Sequence, residues 1–577
     1  MDSSRVQVTR RRLRWCVVGV VALFTVFGAR LFQIQGVDAS AYAAMAVDAG
    51  TASTIVPAPR GAILDRNGED LATSVDALTL TADPSMTAAN APQIARILRE
   101  QLAAEPGFDL DYFDLIDTLR TPDSRFVYLA KDVPAWTAKK ALAAVSEAGL
   151  PGVFSEKQTL RTYPGGSLAA NLIGYTNGAG KGVAGLEGQY DDLLTGTDGQ
   201  STYEVSQSGE RIPMGDSTIK EMVPGKDVTT TIDRDLQYYG DERLAEAVRS
   251  SSSDWGLALT MDVKTCQLVQ VSQVPSFDPD SREGMQDFNT VSRAVQNVYE
   301  PGSVMKVITM AALADQGKIA ADTPIVVPPK MIIDKFPIGD YWEHGTLQLT
   351  AAGVIAKSSN LGTIVAADQM SDAQMYGYFS KFGFGKKTGV SLPGESAGIL
   401  KPGAEWTKAN HATISFGQGV SVTAVQMMRA VGAIANGGSM CEPSVVLGDD
   451  AGGSQQVVSK SAARTVTRMM EAVTAADGTA PAAAIEGYRV AGKTGTAWRV
   501  NPQTGRYVRG QNTVSFMGFA PADAPRFLTY VVLDKPVSSA GGGSTAAPVF
   551  HDIMSMALER FGVAPTGAES PEVAQTW

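Results

Sequence analysis

The stretch that most constrains this chain is Pro301-Gly302-Ser303-Val304-Met305-Lys306, followed by a run of mainly apolar residues at 307–314. Proline and glycine break the preceding chain, serine is a preferred residue at the start of a helix, and Gly317 is a usual stop. The run predicts a buried helix on which Ser303 and Lys306, three positions apart, share one face. A hydroxyl and an amine therefore meet at the positive end of a buried helix.

This pair of residues raises the question of a serine nucleophile. A serine hydroxyl is weak until a neighbouring base takes its proton. A lysine is a base only when neutral, and neutralising an ordinary lysine at pH 7 costs about 4–5 kcal/mol. Burial and the positive end of a helix both push Lys306 toward the neutral form. The alternative is that Ser303 caps the helix and Lys306 reaches solvent, and an isolated S-x-x-K pattern does not exclude it.

Two later segments favour the catalytic interpretation. Ser358-Ser359-Asn360 supplies an S-x-N triplet, and Lys493-Thr494-Gly495-Thr496 lies within about two hundred residues of Ser303, a size suited to one domain. Each segment alone could be structural, the first as a loop that caps a helix and the second as an edge strand with a bulge at Gly495. In this order the three motifs predict a single site built around Ser303.

Composition excludes several other classes of function. The 577 residues include 49 basic and 60 acidic side chains, and the net charge of −11 argues against nucleic acid as a partner. Three cysteines exclude a scaffold built on disulfides; at most Cys266 and Cys441 pair, and two buried free thiols are the favoured state. The scattered histidines give little support to a metal site or a histidine triad, and we expect no cofactor.

The N-terminus carries an arginine cluster followed by an uncharged, mostly apolar run at residues 15–29. Fifteen helical residues span only about 22 Å, less than the roughly 30 Å hydrocarbon core, but Arg14 and Arg30 can snorkel and Trp15 suits an interface. Residues 13–35 are thus long enough for one membrane span. A cleaved signal peptide is the alternative, and its weakness is the bulky Phe27 at the candidate cleavage site. With an uncleaved anchor, the arginines keep the N-terminus cytoplasmic and the rest outside.

The remaining chain divides at Val223-Pro224-Gly225-Lys226. Residues 36–225 predict a mixed, loop-rich region without a catalytic cluster, in which Arg60, Asp65 and Arg66 are expected to form a buried structural ion pair. Residues 226–562 predict strands at both ends with helices between them, including a long helix between Gly417 and Gly438 with Thr423 in its first turn, and hence an α+β domain. Residues 563–577 predict a disordered tail.

The chain resembles a class B penicillin-binding protein of the septal, FtsI type. The resemblance covers nearly the whole sequence and rests on the following segments: Arg60-Gly61-x-Ile63-x-Asp65-Arg66-Asn67-Gly68, Tyr163-Pro164-Gly165, Gly185-Leu186-Glu187, Tyr299-Glu300-Pro301-Gly302-Ser303, Ser415-Phe416-Gly417-Gln418-Gly419, Ala435-Asn436-Gly437-Gly438, Lys493-Thr494-Gly495-Thr496 and Ser515-Phe516-x-Gly518-Phe519-Ala520-Pro521. Cys266 departs from the pattern, since a turn glycine is usual there.

The resemblance implies a transpeptidase domain at 226–562 with a five-stranded antiparallel sheet, an elongated pedestal or dimerisation domain at 36–225, and an anchor at 15–35 behind a cytoplasmic segment at 1–14. It also implies roles for site residues. Ser303 attacks the D-Ala-D-Ala carbonyl of a peptidoglycan stem peptide with Lys306 as base, and backbone N–H groups of Ser303 and Thr496 form the oxyanion hole. The other expected roles are proton transfer to the departing D-Ala by Ser358 with Lys493, a hold on Lys306 and the substrate amide by Asn360, and binding of the substrate carboxylate on the Thr494-Gly495-Thr496 segment.

A hydrolase would need an activated water, which a dedicated glutamate holds in some relatives. Glu395 and Glu405 are among the glutamates between Ser358 and Lys493, but this interval has no glutamate motif for that role. The resemblance therefore favours a division-linked D,D-transpeptidase that β-lactams inhibit. An elongation-type transpeptidase, a D,D-carboxypeptidase, a β-lactam sensor and a division scaffold are the alternatives. The expected partners are stem peptides, β-lactams, a membrane glycan polymerase and other division proteins.

Overall fold

The computed structural model describes residues 3–41, 50–105, 107–206, 212, 217–448, 453–501, 503–504, 506–537 and 541–577. Within it the chain forms two compact units, Met1–Ala58 with Gly196–Pro224, and Pro59–Thr195 with Gly225–Trp577. The domain limits that the sequence indicates at residues 35, 225 and 562 stay predictions.

The first unit holds the N-terminal helix and a small sheet. The helix Ser3–Phe32 continues into a π-helical turn at Gln33–Val37. The segment Val8–Val37 has a mean hydropathy of 2.0 over its most apolar window, and none of that window is buried. Thirty helical residues extend about 45 Å, so this helix is long and apolar enough for a single-pass anchor. The sheet is antiparallel, with the strand order Thr51–Val56, Gly199–Glu204, Ser217–Lys220.

The second unit begins with a sheet that has its own apolar core. The long strand Asp70–Ala82 pairs with Val127–Pro134 on one side and Val153–Thr162 on the other, and its first residues pair with Ile63–Leu64. The helix Ala91–Leu102 packs its apolar stripe into that core, because Ile94, Leu98 and Leu102 recur on one face.

A buried ion-pair cluster ties this region together. Arg60 pairs with Glu187 and Asp191, both at 2.7 Å, and Arg161 pairs with Glu187 at 2.7 Å. The structural ion pair expected at Arg60 is present, but the partners of Arg60 are Glu187 and Asp191 and not Asp65. Asp65 instead accepts hydrogen bonds from backbone N–H groups of its own turn, because the Asn-Gly turn places them within reach.

The second sheet of this unit has five antiparallel strands, as predicted. Their order is Leu268–Val274, Trp255–Asp262, Phe527–Asp534, Tyr507–Ala520, Ala491–Val500, so Ala491–Val500 is an edge strand. Phe527–Asp534 is buried along its whole length because it is the central strand of this sheet. The sequence segment that carries the K-T-G-T motif thus lies on a free sheet edge.

Helices surround this sheet. Arg234–Ser251 and Gly542–Arg560 pack against its strands, as do Ala424–Ala435 and Lys460–Thr474. The remaining helices and strands of the described residues are: helices Pro84–Thr87, Tyr112–Leu119, Ala135–Glu147, Ala170–Ile173, Gly185–Gln189, Asp191–Leu194, Arg293–Gln296, Lys306–Asp315, Ala351–Ala356, Asn360–Ala367, Asp372–Lys381 and Lys408–Ser415, 3₁₀ turns Gly302–Met305, Gly403–Glu405 and Pro481–Ala483, and strands Val228–Thr229, Pro324–Val327, Met331–Ile333, Phe336–Ile338, Leu347–Thr350, Ser439–Met440 and Gln455–Gln456.

The helix predicted between Gly417 and Gly438 is present but does not fill the whole interval, and Thr423 lies at its start as predicted. The structure has a helix only at Ala424–Ala435, with Thr423 as its N-cap. Gly417 and Gly419 have φ values of +89° and +79°, which a right-handed helix does not allow. They form a loop in which the Gly417 carbonyl accepts a hydrogen bond from Gly302 at 3.0 Å.

The tail at 563–577, predicted to be disordered, instead packs on the second unit. Thr350 donates through its N–H to the Gln575 carbonyl at 3.0 Å and through its hydroxyl to the Ala574 carbonyl at 2.6 Å. Gly353 leaves room for this contact, since a Cβ there would lie 1.9 Å from the Gln575 oxygen. Composition misses such docking because it uses backbone groups along the strand Leu347–Thr350.

The expectation of free thiols is also wrong. Cys266 and Cys441 form a disulfide whose Cα atoms are 6.2 Å apart, within the range that such bonds allow. Cys266 has a φ of +57°, a left-handed conformation that glycine adopts most easily. This backbone explains why a glycine is usual here in the family that the chain resembles.

Candidate active site

The turn that carries Ser303 is shaped by glycine. Gly302–Met305 is a 3₁₀ turn that leads into the helix Lys306–Asp315, and Gly302 has a φ of +54°. A Cβ on Gly302 would lie 2.8 Å from the Thr496 carbonyl oxygen, so only glycine lets the turn approach the edge strand this closely. Ser303 does not cap the helix, and among the described residues its hydroxyl has no hydrogen-bond partner. The hydroxyl is therefore available for chemistry.

Lys306 lies one helical turn further on and is fully buried. Its Nζ donates to the Ser358 carbonyl at 2.5 Å and approaches the Ser358 Oγ at 3.4 Å. Burial lowers the pKa of Lys306 to about 7, and the negative charge of Asp340 partly opposes this. A substantial share of the lysine is therefore neutral near pH 7, as a general base requires.

Ser358 lies in the short link between the helices Ala351–Ala356 and Asn360–Ala367. Its φ of +60° is a left-handed conformation that is uncommon for a residue with a side chain, and residues held in this way cluster at functional sites. The Ser358 Oγ accepts a hydrogen bond from the Lys493 Nζ at 2.8 Å. One serine thus connects two lysines that are far apart in the sequence.

Lys493 is also fully buried, and its Nζ donates to the carbonyl and hydroxyl of Thr494 at 3.0 and 3.2 Å. Burial lowers the pKa of Lys493 well below its ordinary value, and a charge on Lys306 lowers it further. The two amines share one hydroxyl in a site closed to water, so charging both at once is unfavourable.

The edge strand presents its backbone to the Ser303 turn. A Cβ on Gly495 would lie 3.0 Å from Val304 and 2.2 Å from the Ser515 hydroxyl, which explains the glycine. The Thr496 carbonyl points at Gly302, away from the neighbouring strand. In an antiparallel sheet the N–H and C=O of one residue point the same way, so the Thr496 N–H also faces the Ser303 turn. The Thr496 side chain is exposed, whereas that of Thr494 is buried and its hydroxyl lies 3.2 Å from the Thr479 hydroxyl.

Asn360 differs from the expectation. Its Nδ2 donates to the Gly339 carbonyl at 3.1 Å, and no hydrogen bond joins it to Lys306 within the described part of the chain. The Ser358 carbonyl holds the lysine instead. Asn360 therefore lies beside the Lys306–Ser358–Lys493 chain, with its amide turned to the neighbouring loop.

Asp340 is not among the residues that the sequence predicts for the site. Its carboxylate accepts hydrogen bonds from the backbone N–H of Asn360 at 2.5 Å, from that of Leu361 at 3.1 Å and from the Ser359 hydroxyl at 2.6 Å. His344 lies 3.1 Å from the same carboxylate. Asp340 thus fixes the start of the helix that follows Ser358. No sequence motif marks it, because these contacts join segments about twenty residues apart.

The two glutamates considered for activating water have other positions. Glu395 accepts hydrogen bonds from Thr388 and Gly389 of its own loop, and Glu405 is exposed. Among the residues that the structure describes, no group of three or more His, Cys, Asp or Glu could hold a metal ion. The structure thus joins Lys306, Ser358 and Lys493 in one hydrogen-bonded chain and packs the Ser303 turn against the K-T-G-T edge.

Comparison with known proteins agrees with this geometry. Residues 256–555 match the model of the penicillin binding protein transpeptidase domain, and residues 55–230 match that of the penicillin-binding protein dimerisation domain. The chain is 34% identical to the penicillin-binding protein PbpB of Mycolicibacterium smegmatis, over 95% of this chain and 90% of that one. It is 32% identical to the peptidoglycan D,D-transpeptidase FtsI of Escherichia coli, over 88% and 85% of the two chains.

Among solved structures, penicillin binding protein 3 of Mycobacterium tuberculosis complexed with aztreonam is similar to this chain. The TM-score is 0.68 and the identity 30%, over 91% of this chain and all of the other. Both domain matches, the near full-length relatives and this structural likeness point the same way. The chain belongs to the class B penicillin-binding proteins, which join a transpeptidase domain to an N-terminal dimerisation domain.

Proposed function

We propose that this chain is a peptidoglycan D,D-transpeptidase that cross-links stem peptides through an acyl-enzyme on Ser303 during septum formation. The observation that carries the proposal is the hydrogen-bonded chain Lys306–Ser358–Lys493 beside the Ser303 turn, at the free edge of the sheet. Relatives named PbpB and FtsI support the reaction and the septal role.

In the first step the Ser303 Oγ attacks the carbonyl of the penultimate D-Ala. Neutral Lys306, one helical turn away, takes the hydroxyl proton. The N–H groups of Ser303 and Thr496 stabilise the oxyanion: the first N–H groups of a helix lack intrahelical partners, and the Thr496 N–H faces the cleft. Each such donor is worth about 2.7–4 kcal/mol in comparable enzymes.

The C–N bond then breaks and the terminal D-Ala leaves as an amine. Ser358 delivers the proton to that nitrogen, and Lys493 resupplies it through the 2.8 Å hydrogen bond. The terminal carboxylate of the substrate binds at Thr494 and Thr496. Its negative charge raises the pKa of Lys493 and so favours the charged form of that amine. Substrate binding thus supplies the counter-charge that lets Lys493 become positive.

Between the two steps Lys306 passes the proton that it took from Ser303 through Ser358 to Lys493, so that Lys306 is neutral again. In the second step the amine of another stem peptide attacks the Ser303 ester and loses a proton to Lys306. Lys306 returns that proton to the Ser303 Oγ as the ester bond breaks and the cross-linked product leaves. Asn360 has the role of orienting the substrate amide, for which its side chain would turn from the Gly339 carbonyl. Transfer to an amine distinguishes this enzyme from a D,D-carboxypeptidase, which transfers the acyl group to water.

The proposal includes the placement of the protein. The arginines at residues 5–14 keep the N-terminus in the cytoplasm, the N-terminal helix spans the plasma membrane once, and the catalytic unit lies outside. A membrane glycan polymerase and other division proteins are the proposed partners. The domain limits at residues 35, 225 and 562 belong to the same proposal.

The test is the intact mass of the full-length protein in detergent after exposure to benzylpenicillin. Wild type should gain one covalent penicillin, and Ser303→Ala should gain none. Ser250→Ala, at an exposed helical serine, is the matched control and should react like wild type. An unmodified wild type, or an adduct that survives in Ser303→Ala, would refute the acyl-enzyme on Ser303.

An assay with glycan chains that carry stem peptides distinguishes a transpeptidase from a D,D-carboxypeptidase. Cross-linked dimers together with free D-Ala support the transpeptidase, whereas D-Ala without dimers would show a carboxypeptidase. A fluorescent fusion at the septum, rather than along the side wall, supports the division role.

A further inference from the structure

Glu300 is an anionic side chain beside the nucleophile that the mechanism above does not use. It lies three residues before Ser303, and its carboxylate accepts hydrogen bonds from the Gly419 N–H at 2.8 Å and from the Tyr507 hydroxyl at 3.0 and 3.2 Å. No Lys, Arg or His of the described residues lies within ion-pair distance of it. Burial raises the pKa of Glu300, as it does for a carboxylate without a counter-cation.

Two aromatic rings stand next to this carboxylate. Tyr507, bonded to Glu300, packs edge to face against Trp498, with ring centroids 5.9 Å apart and an interplanar angle of 83°. Trp498 is 49% exposed and Tyr507 is 42% exposed, so both present ring surface to solvent. Ring faces attract cations, and tryptophan does so best.

The rings lie where a bound substrate strand would lead. Thr494, Thr496 and Trp498 alternate along the edge strand and share one face. In the proposed function the substrate carboxylate lies at Thr494 and Thr496 and its reacting carbonyl at the Thr496 N–H. The preceding residues of the peptide therefore extend toward Trp498, at about 3.4 Å per residue.

Arg499, which lies on the same edge strand, does not form an ion pair with Glu300. Arg499 points to the other side, where its guanidinium lies 3.4 Å from Asp254 and 3.4 Å from Asp534. Among the residues that the structure describes, Glu300 and the two rings thus form an anionic and aromatic patch without a counter-cation at the end of the proposed substrate path. Its chemistry suits a primary ammonium group.

We propose that Glu300, Tyr507 and Trp498 form a subsite for the ammonium-bearing side chain of the donor stem-peptide residue that precedes D-Ala-D-Ala. This inference rests on the proposed function and specifies its substrate. The long aliphatic side chain extends from the peptide toward Trp498, its ammonium group lies over the ring, and the Glu300 carboxylate supplies the opposite charge. No bond is made or broken at this subsite.

The test compares two thioester donors on the full-length protein in detergent. One is Nα-acetyl-L-lysyl-D-alanyl-D-thiolactate, and the other carries norleucine, which lacks the amine, in place of lysine. Wild type should acylate from the lysyl donor about tenfold faster than from the norleucyl donor. In Glu300→Gln the ratio of the two rates should fall below about twofold. Glu486→Gln, an exposed glutamate elsewhere, is the matched control and should keep the wild-type ratio.

The ratio also distinguishes recognition from a structural effect. If Glu300→Gln slows both donors equally and keeps the ratio, or if wild type shows no preference, the subsite is refuted. Trp498→Leu provides a second variant and should lower the ratio about threefold through loss of the ring face. For wild type alone, raising the salt from 0.05 to 1 M should reduce the preference, because salt screens the carboxylate.

Failure of this subsite is distinguishable from failure of the proposed function. If benzylpenicillin still attaches to Ser303 while the lysyl preference is missing, only the subsite is wrong. If no acyl-enzyme forms on Ser303 with penicillin or with either donor, the proposed function is wrong and the subsite falls with it.

Discussion

Substituting Gly353 by alanine should have opposite effects on stability with and without the docked tail. Gly353 lies in the helix Ala351–Ala356, two residues before Ile355 and five before Ser358. Alanine in a helix normally stabilises by up to about 1 kcal/mol relative to glycine. Here the new Cβ would lie 1.9 Å from the Gln575 oxygen, so the tail must leave.

The size of the effect follows from the bonds that the tail would lose. Thr350 donates to the carbonyls of Gln575 and Ala574, and the Trp577 N–H donates to the Gln348 carbonyl at 3.4 Å. Three hydrogen bonds at about 1 kcal/mol each outweigh the helical gain. The free energy of unfolding of the full chain should fall by about 2 kcal/mol. In a variant that ends at Ala568 the same substitution should raise it by up to about 1 kcal/mol.

The assay is urea unfolding of four proteins, with and without the substitution and with and without residues 569–577. Hydrogen exchange at the Thr350 and Trp577 amides reports docking directly and should speed up about thirtyfold in the full-length Gly353→Ala protein. The same sign of the stability change in both backgrounds would refute the steric reasoning. Unchanged exchange at Thr350 would show that the tail had not been docked there.

Three further outcomes follow from the site and the first sheet of the second unit. Because the pKa of Lys306 is lowered to about 7 and its neutral amine is the proposed base, acylation by benzylpenicillin should rise about tenfold per pH unit below 7 and level off above it; a flat profile would contradict this. Asp340→Asn removes the charge that favours the ammonium form, so the midpoint of that profile should move to lower pH, and a shift upward would contradict the assignment. Glu187→Gln leaves the buried Arg60 and Arg161 without their shared carboxylate, and thermal or urea unfolding should show a loss of about 3–5 kcal/mol; a loss below about 1 kcal/mol would contradict a buried charge cluster.

The features that the sequence predicts well are local. The apolar run after Ser303 predicts a buried helix, and the structure has it at Lys306–Asp315, fully buried over most of its length. The strands predicted at both ends of residues 226–562 are present, at Trp255–Asp262 and Leu268–Val274 near the start and at Phe527–Asp534 near the end. Motif order also predicts which distant segments meet, since Ser358 and Lys493 are 135 residues apart and yet hydrogen-bonded.

The features that the sequence does not reveal depend on distant partners. Asp340 holds the start of the helix behind Ser358, but nothing in its own neighbourhood distinguishes it from an ordinary loop aspartate. The loop before Ala424 depends on a distant contact, because the Gly417 carbonyl accepts a hydrogen bond from the Gly302 N–H. The tail looks disordered because its binding depends on main-chain groups, which every sequence has.

The disulfide between Cys266 and Cys441 can report the compartment in which the polypeptide folds. Disulfides persist in oxidising compartments and are rare in a reducing cytosol. With the catalytic unit outside the membrane, as proposed, full-length protein purified from cells should contain this disulfide. Its mass should then be lower than that of the thiol form by two hydrogen atoms. A chain that lacks residues 1–35 and stays in the cytosol should carry both thiols, so a single alkylation experiment reports on which side of the membrane the catalytic unit matured.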